Sequence, residues 1–371
     1  RFKDTEIFER IFAPILHEAV SSGFVDASAV FIDGTHIKAS ANKKKATNEV
    51  VERQAKQYQQ QLDEEINKDR EVHGKKPLKK DDDTGPKPPD TKNIKQSTTD
   101  PESGIFHKGE HEKCFAYVAN TACDKHNFIL DFELAPGNVH DSRMFDGLYN
   151  DLIQQFPEIK VVTVDAGYKT PWIMKQILDS ERIPSVPYKR PMTKRGFFRK
   201  YDFVYDEYYD CIICPANQIL PYSTTNRDGY KEFKSDPTYC KDCTFLARCT
   251  ESKAQQKLVT RHVWEEYMEL AEDYRHTPAY RKIYEMRGQT IERVFADAKE
   301  KHAMRCTQLR GLQKVKMQVT LTFACMNLKK LAKWKRKNGL LAPFLLNFWR
   351  EKTDIVYNWL ISFEKGTLRF A

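Results

Sequence analysis

The chain has 371 residues and a net charge of +9, with 61 Lys and Arg against 52 Asp and Glu. That length holds two or three domains, or one large domain with insertions, and the positive balance suits a polyanionic partner. No run reaches the roughly 18 to 20 apolar residues of a membrane span, and no signal peptide is expected. Nine cysteines, an odd count, argue against a secreted disulfide framework and for a reducing cytoplasm.

Residues 1–27 begin with Arg1 rather than Met and read as a helix. Asp4 or Thr5 can cap it, and Ile7, Ile11, Phe12, Ile15, Leu16 and Ala19 form an apolar stripe at helical spacing. The stripe fits either the end of a truncated helical N-terminal domain or a helix packed on the domain that follows. Residues 28–39 then read as a strand with Asp33 in its middle. From 44 to 104 the chain is almost wholly polar, with Lys79-Lys80-Asp81-Asp82-Asp83 and the Pro-rich stretch 85–90. An exposed helix within 48–70 followed by a linker makes this a charged, partly disordered insertion with no site of its own.

Strands return at Phe115–Ala122 and Phe128–Leu134, and Gly137–Ser142 leads into a helix capped by Asp141 or Ser142. A buried-type strand covers 160–165 and ends in Asp165-Ala166-Gly167-Tyr168. A helix over 171–180 and a short strand at 183–186 follow. Three strands that can meander and two joined through helices describe a mixed α/β sheet. Residues 189–262 are basic, aromatic and Cys-rich. Helices are expected over 264–286, 289–304 and 312–335, with a basic and apolar tail at 336–371.

Asp33 and Asp165 sit on strand positions, where the ends of neighbouring strands place ligands at one edge of a sheet. Each alone has a plainer explanation, as a turn residue or a strand terminus. Glu292 lies on a late helix whose packing face is Ile291, Val294, Phe295 and Ala298, with Lys299 two turns further along the same side. By itself that pair is a solvated charged face. Together, two strand Asp residues and a helix Glu are the hard oxygen ligands that a two-metal phosphoryl-transfer site requires, held by a rigid scaffold.

Several stretches carry a resemblance. They are Val30-Phe31-Ile32-Asp33-Gly34-Thr35-His36-Ile37-Lys38-Ala39, the segment from Ala135 to Ser142, Val164–Tyr168, and the block from Tyr284 through Lys299 into Arg310-Gly311-Leu312-Gln313-Lys314-Val315. In this order they resemble the DDE transposases of bacterial insertion sequences, in the branch with a helical N-terminal domain and a cysteine-bearing insertion. The resemblance implies an RNase H-like five-stranded mixed sheet flanked by helices. One insertion follows strand 1 and a Cys-rich one precedes the Glu-bearing helix, so that 28–43, 105–188 and 263–335 form the catalytic domain. It implies Asp33, Asp165 and Glu292 as ligands of two Mg²⁺ ions, for which Mn²⁺ can substitute. Tyr284, Arg287 and Lys299 match a Tyr-Arg-Glu-Lys signature, although four residues rather than three separate Arg287 from Glu292. Arg287 and Lys299 would then contact transposon-end phosphates.

The thiols Cys211, Cys214, Cys240, Cys243 and Cys249 include two C-x2-C pairs, which read as a tetrahedral Zn²⁺ site, an iron–sulfur site or free thiols. The resemblance selects Cys214, Cys240, Cys243 and Cys249, with Cys211 as the alternative. The remaining cysteines, 114, 123, 306 and 325, read as core residues. Lys and Arg crowd 189–200 and the chain from Lys299 to Lys337, including Arg305, Arg310, Lys330 and Lys335, as suits a DNA backbone. The expected partners are double-stranded DNA, as element ends and target, and further copies of the chain on that DNA. No membrane partner is expected, and the location is a bacterial cytoplasm near the nucleoid. The expected activity is metal-dependent cleavage and strand transfer. A nuclease of the same fold without strand transfer, or a decayed element that only binds DNA, are the alternatives.

Overall fold

The computed structural model describes residues 7–42, 44–52, 58–78, 91–108, 112–190 and 192–339. The caps at Asp4 and Thr5, the charge run at 79–83, the Pro-rich stretch and the tail from residue 340 lie outside the described residues.

Helix α1 (Glu9–Ser21) precedes β1 (Ala29–Lys38). The polar segment after it contributes β2 (Ala46–Glu52), α2 (Gln59–Val72) and β3 (Thr91–Ser97). Then come β4 (Gly104–Lys108), β5 (Glu112–Cys123), β6 (Ile129–Pro136), α3 (Asp141–Gln155), β7 (Val161–Val164), α4 (Pro171–Asp179) and β8 (Ile183–Ser185). The main sheet runs β4-β5-β1-β7-β8, with β6 also paired to β5. Strand β5 is long enough to carry β1 along 116–123, β4 along 112–116 and β6 along 117–123. Strands β4 and β6 therefore lie end to end on one edge, and the sheet has six strands where the sequence suggested five. β1 is antiparallel to β5 but parallel to β7, and β7 is parallel to β8.

In the Cys-rich segment, β9 (Val204–Asp206), β10 (Cys211–Ile213) and β11 (Ile219–Leu220) make one small sheet. Another comprises β12 (Tyr222–Thr225), β13 (Tyr230–Lys234) and β14 (Leu258–His262). The short helices α5 (Pro237–Lys241) and α6 (Leu246–Cys249) lie between β13 and β14. Phe203, Ile212, Leu220, Phe233 and Val259 give this segment its own core. The helix expected over 264–286 is broken into α7 (Glu265–His276) and α8 (Pro278–Glu285). Pro278 cannot donate a backbone hydrogen bond, so it starts a helix rather than continuing one. A 3-10 turn over Met286–Gln289 leads to α9 (Ile291–Lys301), and α10 (Leu312–Lys337) ends the described chain.

The two-residue period of β1 sends alternate side chains to opposite faces. Val30 and Ile32 pack with Phe145, Leu152, Ile173 and Ile177 from α3 and α4. Phe31 and Ile37 pack with Ile291, Phe295, Val315 and Val319 from α9 and α10. Each such buried side chain contributes about 1.5–3 kcal/mol, so the strand that carries Asp33 is held on both faces. The stripe of α1 also has its partner within the described chain: Ile15 and Ala19 pack with Ala324 and Leu331 of α10, and the Lys335 ammonium donates to Glu18 at 2.6 Å.

The polar 44–104 segment is folded where it is described. β2 pairs with β3, and α2 buries Leu62 and Ile66 beside Trp264. Two apolar side chains suffice because polar ties join α2 to the Cys-rich segment. Arg70 donates to Thr224 and to the Thr225 carbonyl, and Lys231 bridges Asp69 and Asp210. No described helix is long and apolar enough to cross a membrane.

Candidate active site

The parallel pairing of β1 and β7 sets Ile32 beside Val164. The next residues on the two strands are Asp33 and Asp165, so the register alone brings both carboxylates to the same end of the sheet. The side chain of Asp33 is 19% exposed and that of Asp165 is 49% exposed. The Gly34 amide donates to Asp33 Oδ1 at 2.8 Å, which fixes one oxygen and leaves Oδ2 turned toward the other carboxylate's partner. Behind Asp165 the chain makes a 3-10 turn over Ala166–Tyr168. There the Tyr168 hydroxyl donates to buried Asn120 at 2.7 Å, and buried Lys169 pairs with Glu272 of α7. These contacts anchor the turn to β5 and to the helical layer.

One guanidinium spans both carboxylates. Arg287 Nη2 donates to Asp33 Oδ2 at 2.5 Å, and Nη1 donates to Asp165 Oδ1 at 3.1 Å and to the Tyr284 hydroxyl at 3.2 Å. Arg287 is only 7% exposed. Burial opposes its charge, yet Asp33, Tyr284 and Asp165 together hold its pKa above the ordinary arginine value. Burial likewise pushes the Tyr284 phenol up. Arg287 sits in the 3-10 turn between α8 and α9, so it and Glu292 do not share one continuous helix. The break absorbs the extra residue between them and turns Arg287 inward, onto the acidic pair. In this structure the Arg287 guanidinium is engaged in an internal ion pair with the two carboxylates.

Glu292 occupies the exposed first turn of α9, close to Gly288, and makes no ion pair with a described residue. Lys299 is half-buried on the same helix. Arg305 is exposed and paired with Glu300, and exposed Arg310 donates to the Ser40 carbonyl at 3.0 Å. Two expected DNA-facing lysines are structural instead. Lys335 is 8% exposed and bound to Glu18, and Lys330 donates to the His126 carbonyl, burial lowering its pKa to about 8.

In the Cys-rich segment, Cys214, Cys240, Cys243 and Cys249 line one cavity of about 30 Å³. Burial raises the Cys249 thiol; Lys257 opposes this, and the other three thiols add to it. Cys211 stands apart on β10, raised by burial and by Asp206 and Asp210. Cys114 and Cys123 are buried, but Cys306 and Cys325 are exposed, contrary to their reading as core. Cys306 lies in the loop that runs beside Lys38, and Cys325 is on the outer side of α10.

Among the described residues, one group of three ligand-type side chains has its atoms all within 4.8 Å: Asp69, His73 and Asp210. The Lys231 ammonium, 2.7 Å from Asp69 and 3.2 Å from Asp210, already pairs with both carboxylates of that group, which joins α2 to the Cys-rich segment. The carboxylates 33, 165 and 292 do not meet that distance here. Asp33 and Asp165 nonetheless aim hard oxygens at one positive charge, the donor set that Mg²⁺ or Mn²⁺ prefers. The four thiols line one cavity and are the soft donor type that Zn²⁺ prefers, but no three of them come within 4.8 Å of one another here.

Residues 213–332 match the family model described as the transposase DDE domain. The match takes in most of the Cys-rich segment, Arg287, Glu292 and much of α10; Asp33 and Asp165 lie before it. No curated protein matches the chain, and no solved structure does.

Proposed function

We propose that this chain, a DDE transposase by the family of its residues 213–332, cuts and rejoins DNA at a site formed by Asp33, Asp165 and Glu292. The observation that carries the reading is the parallel register that sets Asp33 beside Asp165 with one cation shared between them. An RNase H-like architecture is supported by the strand order. Counting β1, β5, β6, β7 and β8 as first to fifth, the sheet reads third, second, first, fourth, fifth, with the last two parallel to the first.

Asp33 and Asp165 would hold divalent ions on rigid strands, and Glu292 would complete the ligand set from the first turn of α9. Ions held there by Asp33, Asp165 and Glu292 would supply Lewis-acid chemistry for an in-line phosphoryl displacement. The protein's own contribution is orientation. Packed strands fix the two aspartates, and the Tyr168 and Lys169 contacts hold the turn behind Asp165. Lys299 and Arg310 supply cations for the phosphate backbone along α9 and the loop after it. The Cys214, Cys240, Cys243 and Cys249 set would bind Zn²⁺ and brace a segment whose own core is small.

The test uses labelled duplexes carrying the ends of the element that encodes the chain, incubated with Mg²⁺ and target DNA. End cleavage followed by joined products supports transposition. Cleavage without joining reassigns the chain as a nuclease of this fold, and binding without cleavage makes it a DNA-binding remnant.

A further inference from the structure

A groove of about 650 Å³ opens at the far end of β1 from the buried sheet centre, between β3, β4 and the loop 137–140. Its floor is aromatic: His36 and Phe106 stack with ring centroids 3.5 Å apart and planes 16° from parallel. Its rim carries Lys95, His107 and Lys113, all exposed, and no carboxylate lines it among the described residues. The walls are tightly set. A Cβ on Gly104 would fall 2.1 Å from Asn138 Oδ1, and one on Gly137 would fall 2.7 Å from the Ala116 carbonyl oxygen, so both positions accept only glycine as the backbone stands. Burial, opposed by a hydrogen bond to Gly137 and reinforced by the charge of Lys299, lowers the His36 pKa to about 4, so the imidazole is neutral at pH 7.

We infer that this groove binds an unstacked nucleotide of a DNA strand, its base extending the His36–Phe106 stack and its phosphates meeting Lys95 and Lys113. The inference rests on the DNA-processing reading and adds a second DNA contact to it. Flat neutral rings offer a surface for the face of any base, and the cations at the rim track the backbone, the combination that single-strand binding uses. A duplex hides its base faces within its stack, so only its phosphates could reach the rim.

The experiment measures binding of a short labelled oligothymidine, and of a duplex of equal length, to the full chain in EDTA. Cleavage plays no part in the readout. Phe106→Ala is expected to weaken oligothymidine binding by about 5- to 150-fold, the effect of losing one base–aromatic stack, while duplex binding changes less than about two-fold. Phe106→Tyr should keep the parental affinity. The surface pair Lys95→Ala and Lys113→Ala, which threatens no core, should flatten the salt dependence of oligothymidine binding by about 1.4 log units per log unit of salt, about 0.7 for each phosphate contact. Parental oligothymidine binding by folded Phe106→Ala, equal losses on both DNAs, a parental salt slope in the lysine variant, or no oligothymidine binding by the parent would each overturn the inference. Phe106-dependent binding in a chain that cuts no DNA would instead remove the catalytic reading and leave this one standing.

Discussion

Replacing Arg287 with alanine removes the guanidinium that bridges Asp33 and Asp165. Breaking a buried ion pair by deleting one partner costs about 3–5 kcal/mol, and an exposed pair is worth about 0–1 kcal/mol. Asp33, 19% exposed, lies nearer the first case, and Asp165, 49% exposed, nearer the second. Against this, Arg287 Nε is buried with no hydrogen-bond partner, and deleting that group returns about 1 kcal/mol. The net expectation is a loss of about 2–5 kcal/mol in the absence of divalent ions. Saturating Mg²⁺ would supply the missing positive charge and add stability as its concentration exceeds its dissociation constant. Urea unfolding in EDTA and then in Mg²⁺ measures both effects. Arg287→Ala should be less stable than the parent in EDTA and should gain more from Mg²⁺. Arg287→Lys should recover only part of the loss, because a point charge cannot fork to two carboxylates. An Arg287→Ala protein as stable as the parent in EDTA would refute the reasoning.

His36 supplies a pH test. Its folded pKa of about 4 lies below the ordinary histidine value of 6.5, so the unfolded chain takes up a proton that the folded one refuses between those values. The resulting stability is fully present above pH 6.5 and is lost as pH falls toward 4, by about 2–3 kcal/mol. The parent-minus-variant difference for His36→Gln in unfolding experiments should trace that loss, and a flat difference would contradict it. Lys335→Ala should destabilise the chain by about 1–3 kcal/mol yet leave the salt dependence of DNA binding alone; exposed Lys333→Ala should do the reverse, read by the same two measurements. Zinc content by elemental analysis should fall in Cys243→Ser and stay parental in Cys211→Ser, and equal content in both would reject the four-cysteine site.

Much of the sheet was legible because its strands are written in runs with clear punctuation. Val30-Phe31-Ile32 before Asp33 and Val161–Val164 before Asp165 mark the two strands, with Asp33 inside β1 and Asp165 just past β7, and the adjacency of the carboxylates then follows from one parallel pairing. Strand β4 was less visible, since Ile105 and Phe106 are its only apolar residues before a charged loop. The folding of α2 hung on Leu62 and Ile66 alone, and their partner Trp264 lies far away in the chain. The break at Pro278 was missed, because the composition on both sides of it is helical and one helix was expected through it. The inward turn of Arg287 had no local signal beyond the extra residue before Glu292, because its direction depends on a 3-10 turn and on carboxylates from two distant strands. Lys330 and Lys335 look like any other surface lysines in a basic run. Only the packing of α1 and the 124–128 turn against α10 shows that they are tied to the protein itself.

Glu292 is the member of the proposed triad that the fold leaves exposed and unpaired to either aspartate, so it carries the sharpest test. Mg²⁺-dependent cleavage of end-bearing duplex should be measured for Glu292→Gln beside Asp33→Asn and Asp165→Asn, with duplex affinity followed in parallel. The account predicts that all three lose cleavage by about a hundred-fold or more, as removal of a group that stabilises transition-state charge does, while affinity stays within about two-fold of the parent. Parental cleavage by Glu292→Gln would contradict it.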